Sequence, residues 1–369
     1  MLFRSLKCEY TSVTSPSSSS TLSNEPYSAV QEPAYRIPSK FPAVFFLDAD
    51  IFQRGHLEIP KVSIPVPFYV REVIGDDAEI RNVALKYFDT IHTYFPIISK
   101  QRFYSNLMNP LAQPRADVAL LVLCMRLVTS SYSTKEIRMA SLPEYFTAKK
   151  FYSAVEAAGT CSTQVLQAGI LIAFYEFAHA IYPAAYLSIG VCARYGISYG
   201  MDEGGFPDSG ALNWIEAEEK RRVWWAVLIL DRYLAPFLIS LKCTLLTEQH
   251  RSINLGNPAR SLATQEPLSS SCLPIEDETW DKGQMPLSEV YTVSSPTSIK
   301  MGRFGRFAQA TYLLGRVLKH ISDRTPDREF LEEEATQLRH TLHALVNLIK
   351  VESENSKTEF CTQSAICWA

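Results

Sequence analysis

Apolar residues recur at helical spacing through most of this chain, from residue 76 to about residue 350. Only short segments alternate with the two-residue period of a strand. The pattern predicts helices over 77–92, 100–108, 115–131, 143–158, 162–180, 183–198, 213–240, 301–322 and 326–351. We therefore expect an all-α fold, with one multi-helix domain over residues 76–350.

The first 75 residues have a different composition. Residues 1–40 are rich in Ser and Pro and offer too little apolar area to offset chain entropy, which predicts a disordered N-terminus. Residues 41–75 are aromatic but interrupted by prolines, which predicts an extended arm lying on the core. We also expect a polar loop over 253–298, which holds five prolines, and an irregular tail over 351–369.

Composition excludes several function classes. The 36 Lys and Arg nearly balance the 39 Asp and Glu, so no global field attracts nucleic acid or an anionic membrane. No apolar run approaches the roughly 18 residues that span a bilayer, and no signal peptide is visible at the start. The eight cysteines include no C-x2-C pair, so a structural zinc site or a disulfide framework is not expected. Motifs for a P-loop, a dinucleotide fold, a zinc protease or a serine hydrolase are absent from the sequence, which predicts a non-enzyme without a cofactor.

The most highly charged helical segment is balanced within itself. Residues 216–222 hold three acids and three bases, and Glu216 and Glu218 precede Lys220 and Arg222 by four positions, the spacing of helical ion pairs. A surface that follows nucleic-acid phosphates needs uncompensated cations. Nucleic-acid binding by this segment is therefore not expected.

The same helix then becomes apolar. Trp224 and its apolar neighbours cover more than half of the circumference, which predicts a helix buried against several others. Asp231 lies on that apolar face, where an ionised carboxylate needs a partner. We expect a buried cation beside it, either Arg194 or Arg222, in a structural rather than a catalytic role.

For two other patterns we prefer a structural interpretation to a binding site. Residues 300–307, KMGRFGRF, interleave bases and aromatics as a single-strand binder does, but Phe304 and Phe307 begin a helical apolar stripe typical of a core. His340 and His343 share a helix face, yet no third metal ligand lies nearby in the sequence, so solvated histidines are expected.

Two helices carry signals of close helix contact. Gly190, within 183–198, removes a side chain and would let another backbone approach, which predicts tight helix pairing there. The last helix carries apolar residues at alternating steps of four and three, a seam formed by Leu331, Ala335, Leu338, Leu342, Leu345 and Ile349. Packing of this seam on the chain's own core is preferred, and a homodimer or heterodimer is the alternative.

Three segments resemble the fungal-specific transcription factor regulatory domain, the middle homology region of zinc binuclear cluster activators. YFDTIHTYFPIISKQRF resembles the family's opening motif, AAYLSIGVCARYGI its central helix pair, and EEKRRVWWAVLILDR its most specific block. The match spans roughly residues 41–350. The motif positions are Tyr87, Phe88, His92, Phe95, Pro96, Arg194, Glu218, Arg221, Arg222, Trp224, Trp225, Asp231 and Arg232.

The resemblance implies an all-α regulatory domain in a nuclear protein that controls RNA polymerase II transcription, often of metabolic or biosynthetic genes. It also implies contact with the transcription machinery or with homologous factors, as a homodimer or heterodimer. Members read DNA through a cluster of six cysteines holding two zinc ions, and before residue 76 this sequence has only Cys8. We expect any DNA contact to be made through a zinc cluster that is not present in this chain.

Two departures from the family accompany the match. In the family, Asp231 and Arg232 are usually followed directly by sequence like that which begins here at residue 253. In this chain residues 233–252 lie between them, and an unspliced intron translated in frame would produce such an insertion. The sequence also ends where the family usually continues through more helices. Two alternatives stay open: a stand-alone helical interaction protein that heterodimerises with and modulates a full-length relative, and a small-molecule-binding helical domain.

Overall fold

The computed structural model describes residues 64–107, 115–130, 143–202, 214–245, 262–284, 291–296, 299, 301–322 and 328–354. Within these ranges the chain forms eleven α-helices and a 3-10 turn at Ile91–Thr93, and it forms no strand beyond an isolated bridge between Cys272 and Thr292. The prediction of an all-α fold is confirmed. The helices are α1 Phe68–Ile74, α2 Asp77–Asp89, α3 Lys100–Leu107, α4 Ala116–Thr129, α5 Pro143–Ala157, α6 Thr163–Ala178, α7 Ala184–Ser198, α8 Trp214–Leu245, α9 Asp277–Asp281, α10 Arg303–Ser322 and α11 Arg328–Glu354.

Several expectations lie outside the described residues. These are the disordered N-terminus over 1–40, the arm over 41–63, part of the 233–252 insertion and the tail beyond residue 354. Where the chain is described, no helix combines the length and the apolar character needed to cross a bilayer.

Helix α6 forms the centre of the fold. It packs against α4, α5, α7 and α8, and its residues are buried on every face from Val165 to Ala173. A helix that is apolar all round has no solvent side and must be surrounded. Ser162 caps its start, because the hydroxyl accepts a hydrogen bond from the backbone N–H of Val165 at 3.3 Å.

Helix α1 corrects the last part of the expected extended arm over 41–75, since residues 68–74 form a helix, while residues 41–63 lie outside the described residues. The prolines of this region stop at Pro67, which is the N-cap of α1, and Phe68–Ile74 contains none. Proline is compatible with a helix start, so the prolines here precede a helix rather than prevent one. Val70 and Ile74 are buried in the main core.

Two further differences lie near α8. Helix α9 forms inside the region expected to be a polar loop, and its Trp280 is buried. Helix α8 continues to Leu245, so it passes without a break through Tyr233, where the insertion was expected to begin.

The prediction of close helix pairing at Gly190 is wrong for the described part of the chain. A Cβ at Gly190 would meet nothing within 4 Å, whereas a Cβ at Gly196 would lie 2.7 Å from the Trp224 ring. The close approach on α7 is therefore at Gly196, where α8 places a tryptophan against the bare backbone.

Part of the predicted α11 seam packs on its own chain. Leu345 is fully buried in a small cluster with Ala310 and Leu313 of α10, and Leu342 packs partly against the same cluster. Leu338 is also buried, and Leu331 is half-buried. The side chain of Ile349 lies outside the described residues.

Candidate functional site

Arg222 of α8 is a fully buried cation with partners on three sides. Its Nε donates to Glu218 Oε1 at 2.9 Å, one helical turn earlier, and its Nη1 donates to Asp277 Oδ1 at 2.7 Å. Its Nη2 donates to the carbonyl of Ile275 at 2.7 Å. The guanidinium also lies 4.2 Å from the centroid of the Trp280 ring, at the distance of a cation–π contact. The network therefore ties α8 to the segment that leads into α9.

The two adjacent glutamates of α8 extend this network in opposite directions. Glu218 also accepts the backbone N–H of Ile275 at 2.9 Å and a hydrogen bond from Arg221. Glu219 accepts the backbone N–H of Ser99 and the side-chain amide of Gln167, each at 2.9 Å. Each acid is thus a buried junction between α8 and other segments of the chain, and its hydrogen bonds offset the cost of burying its charge.

Glu219 also binds a cation from the first family motif. Arg102 of α3 donates to it, and a second Arg102 nitrogen lies 3.3 Å from Glu216. The predicted ion pairs within α8 are confirmed, with Lys220 at 3.2 Å from Glu216 and Arg222 at 2.9 Å from Glu218. The segment that suggested a nucleic-acid surface therefore directs its bases at acids of this chain.

His92 connects the first motif to α9. Its Nε2 lies 2.9 Å from Asp281 Oδ1, and its ring stacks on Trp280 with centroids 6.0 Å apart. Burial lowers the pKa of His92 and outweighs the opposing effect of its hydrogen bond to Asp281 and of the Asp281 charge. The imidazole is therefore neutral, and Nε2–H donates to the carboxylate.

Asp281 is shared between His92 and a lysine. Lys100 Nζ donates to Asp281 Oδ2 at 2.7 Å. Burial opposes the ionisation of Asp281, but the hydrogen bonds from His92 and Lys100, together with the positive charge of Lys100, outweigh it and hold the pKa of this carboxyl below its usual range.

Asp231 has different partners from those predicted, and the expectation of a salt bridge with Arg194 or Arg222 is wrong. Its Oδ2 accepts the backbone N–H and the hydroxyl of Thr264 at 2.9 and 2.7 Å, and its Oδ1 accepts the backbone N–H of Ala263 at 3.2 Å. Arg194 is solvent-exposed on α7. Backbone N–H groups stabilise a buried carboxylate as a cation would, and sequence spacing does not reveal them.

Arg232 binds the same threonine from the other side. Its Nη1 donates to Thr264 Oγ1 at 2.9 Å, and its Nη2 donates to the carbonyl of Gln265 at 3.0 Å. The Thr264 hydroxyl therefore accepts from Arg232 and donates to Asp231. Burial lowers the pKa of Arg232, and the charge of Asp231 acts in the opposite direction.

The remaining motif residues are buried among aromatic rings. Phe88 lies 5.1 Å from the His92 ring, and Phe95 lies 5.4 Å from Phe174 and 5.9 Å from Phe304. Tyr87 is fully buried, and Pro96 accepts a hydrogen bond from Arg222 Nη1 at 3.4 Å. The interpretation of KMGRFGRF as core is confirmed for Phe304, which is buried.

A pocket of about 620 Å³ lies beside this network. It is bounded by the end of α7, by the first half of α8 and by the segment 265–272. Trp224 and Trp225 form part of its wall, and Trp225 Nε1 donates to the carbonyl of Cys272 at 2.9 Å.

Sequence reasoning missed the residues on the far side of the network. Asp277, Trp280 and Asp281 lie in the segment expected to be a polar loop, and Thr264 lies in the same region. A short run of acids around one tryptophan, EDETWD, is the signal that could have marked a structured segment there.

The described residues contain no group of three or more His, Cys, Asp or Glu side chains placed to hold a metal ion. His340 and His343 are both exposed on α11. The polar groups of the network are arranged for hydrogen bonding between α8 and the segments that pack against it.

Residues 84–238 match the family described as "Fungal specific transcription factor domain". The segment contains all three motifs: residues 87–103, 184–197 and 218–232. No solved structure matches this chain.

Several curated relatives are similar to the chain. "Transcription factor BOA15" of Botryotinia fuckeliana is 34% identical over 180 residues, which cover 48% of this chain and 98% of that protein. "Pigment biosynthesis transcriptional activator pigB" of Monascus ruber is 27% identical over 251 residues, covering 63% of this chain and 41% of that protein. "Transcription factor tazR" of Aspergillus terreus is 24% identical over 226 residues, covering 59% of this chain and 34% of that protein. The chain thus spans nearly all of one relative and less than half of the other two.

Proposed function

This chain belongs to the fungal specific transcription factor domain family, and from this we propose that it acts in the nucleus on transcription by RNA polymerase II, through contacts of its helical domain. Membership makes the chain a transcription regulator and not an enzyme. The proposal concerns how it regulates: by binding other proteins or an effector, with DNA contacted through a zinc cluster that this chain does not supply.

The observation that supports this proposal is that the glutamates of α8 pair with arginines of the same chain. The guanidinium groups of Arg102, Arg221 and Arg222 each donate to a glutamate of this helix. Phosphate contacts would need such cations at the surface, without a partner carboxylate. The motif residues therefore support a domain that is held together by its charges and works through its outer surface.

A tethering experiment tests this mode of action. The whole chain is fused to an unrelated DNA-binding domain and directed to a reporter promoter in a fungal host, with the DNA-binding domain alone as the reference. We expect reporter transcription to change by severalfold, since the helical domain would recruit its partners without reading DNA itself. Reporter output equal to the reference, from a fusion that accumulates in the nucleus, would contradict the proposal.

We further propose that the genes under control belong to a biosynthetic pathway. The support is the name of pigB, a pigment biosynthesis transcriptional activator, to which 63% of this chain aligns. Transcript profiling of a strain lacking this chain tests the idea. Expression changes concentrated in one group of neighbouring biosynthetic genes are expected, and changes spread evenly over the genome would argue against it.

A further inference from the structure

The pocket beside α8 has the size of a small-molecule site. Its volume of about 620 Å³ lies within the range of roughly 300–1,000 Å³ that such sites occupy. Three separate segments form it: the end of α7, the first half of α8 and residues 265–272. A molecule bound there would contact all three and would favour one arrangement of them.

One part of the wall is aromatic and held in place. Trp225 is fixed by its hydrogen bond to Cys272, and Trp224 is packed against the bare backbone of Gly196. Tyr199 completes this part of the lining. Rings that are positioned by their surroundings favour a flat, conjugated ligand, because stacking on them requires little reordering.

The lining holds two bases and two acids, so the position of an anionic group in the pocket depends on the individual side chain beside it and not on the net charge of the lining. Lys220 and Arg221 line the pocket, while Glu216 and Glu218, the acids that hold them, do not. Two acids also line it. Glu266 lies 3.6 Å from Arg316 and 3.4 Å from Lys319, which lie outside the lining. The other, Asp202, is exposed to solvent, where water screens its charge.

We propose that this pocket binds a flat aromatic or conjugated organic acid, with its rings against Trp224 and its anionic group beside Lys220. The proposal deepens the proposed function, on which it rests, by giving the regulator an effector site. Lys220 already lies over the Tyr199 ring at 5.6 Å, so the cation and the aromatic wall are adjacent. A ligand carrying both features would meet both at once.

A pair of fluorescent probes separates the two features. 8-Anilinonaphthalene-1-sulfonate carries a flat ring system and an anionic group, and N-phenyl-1-naphthylamine has the same rings without the sulfonate. Each is titrated into the purified full-length chain, with energy transfer from tryptophan as the readout. We expect saturable binding of the sulfonate at one site, about tenfold tighter than that of the neutral probe.

Three variants locate the site. Lys220→Glu should weaken the sulfonate about tenfold and leave the neutral probe nearly unchanged, because only the anion loses its cation. Leu268→Glu, in an exposed lining residue, should weaken both probes. Leu187→Glu is the matched control, since Leu187 is similarly exposed on α7 but does not line the pocket.

Each outcome has a defined meaning. Binding that is unsaturable, or equal for the two probes, or unaffected by Lys220→Glu, overturns the proposal. Equal losses in Leu187→Glu and Leu268→Glu would show general surface adsorption and also overturn it. Circular dichroism and thermal melts of each variant check that it is folded. The tethered reporter is independent of the probes, so failure of the effector site and failure of the regulatory function are distinguishable.

Discussion

Arg222 Nη1 and Asp277 Oδ1 lie 2.7 Å apart, although 55 positions separate the two residues in the chain. Between them the chain completes α8, passes through the 262–276 segment and enters α9. This ion pair joins the fully buried Arg222 to the partly exposed Asp277, so it holds the segment against α8 and completes one side of the network.

Arg222→Met should destabilise the domain by about 3 kcal/mol or more, because it removes one of the two cations that pair with the buried Glu218 carboxylate and the cation that pairs with Asp277. Urea unfolding at neutral pH measures the change. Arg194→Met is the matched control, since Arg194 is exposed, and it should change the free energy of unfolding by less than about 0.5 kcal/mol. Equal effects from the two substitutions would mean that the Arg222 network contributes no stability.

Asp231 and Thr264 should show strong energetic coupling. Asp231→Asn and Thr264→Val each remove part of the hydrogen bonding around the Thr264 hydroxyl, which also accepts from Arg232. Because the two substitutions act on the same bond, we expect the double variant to differ from additivity by about 0.5–3 kcal/mol. A double-mutant cycle of unfolding free energies measures this, and simple additivity would count against the shared network.

The helices of this chain could be placed from its sequence, but the partners of its buried charges could not. Helix α6 is apolar on every face and α8 is marked by tryptophans, so both follow from side-chain periodicity. The partners of Asp231 are a hydroxyl and two backbone N–H groups 32 and 33 positions later. Backbone donors leave no trace in residue type, which is why a cation was expected instead.

The acids of α9 were missed for a related reason. A helix of five residues, Asp277–Asp281, is too short to show a period, so EDETWD was included in the polar loop. Its register becomes evident only when Trp280 is placed between His92 and Arg222. The sequence therefore identified the residues that α8 and the first motif contribute to this site. The residues that α9 contributes became evident only from the structure.

Stability should fall as the pH is lowered from about 7 to 5, with His92 contributing to the loss. The folded-state pKa of His92 is lowered by burial, so near pH 6 the unfolded chain binds a proton that the folded chain excludes. Stability linked to His92 is therefore present above the unfolded pKa of about 6.5 and declines below it. Asp281, Lys100 and Arg222 are the charges that face this imidazole.

Urea unfolding at several pH values checks the sign of this effect. His92→Gln should flatten the decline between about pH 7 and 5, because the variant has no group that titrates at this position. His340→Gln, on the exposed face of α11, should keep the decline of the parent chain. Asp281 acts at lower pH: its folded pKa is lowered, so its contribution is lost as the pH falls below about 4.

Leu345→Ala should destabilise the chain itself by about 2–5 kcal/mol, because Leu345 is fully buried against α10. Leu331→Ala, in a half-buried residue of the same seam, should cost less. Sedimentation of both variants at micromolar concentration should give the oligomeric state of the parent chain. A shift to a smaller species in Leu345→Ala, with little loss of stability, would instead assign this leucine to a dimer interface.

The two glycines of α7 should respond in opposite ways to the same substitution. A Cβ at Gly196 would lie 2.7 Å from the Trp224 ring, closer than real Cβ contacts, so Gly196→Ala must displace the tryptophan or the helix. We expect a loss of about 1–3 kcal/mol, the usual cost of overpacking a core. A Cβ at Gly190 meets nothing within 4 Å, and alanine is the better helix former by up to about 1 kcal/mol, so Gly190→Ala should be neutral or stabilising. Thermal melts of the two variants measure these effects. A lower melting temperature for Gly190→Ala would mean that another surface packs on α7 at that point. A melting temperature of Gly196→Ala equal to that of the parent chain would mean that Trp224 is not held there.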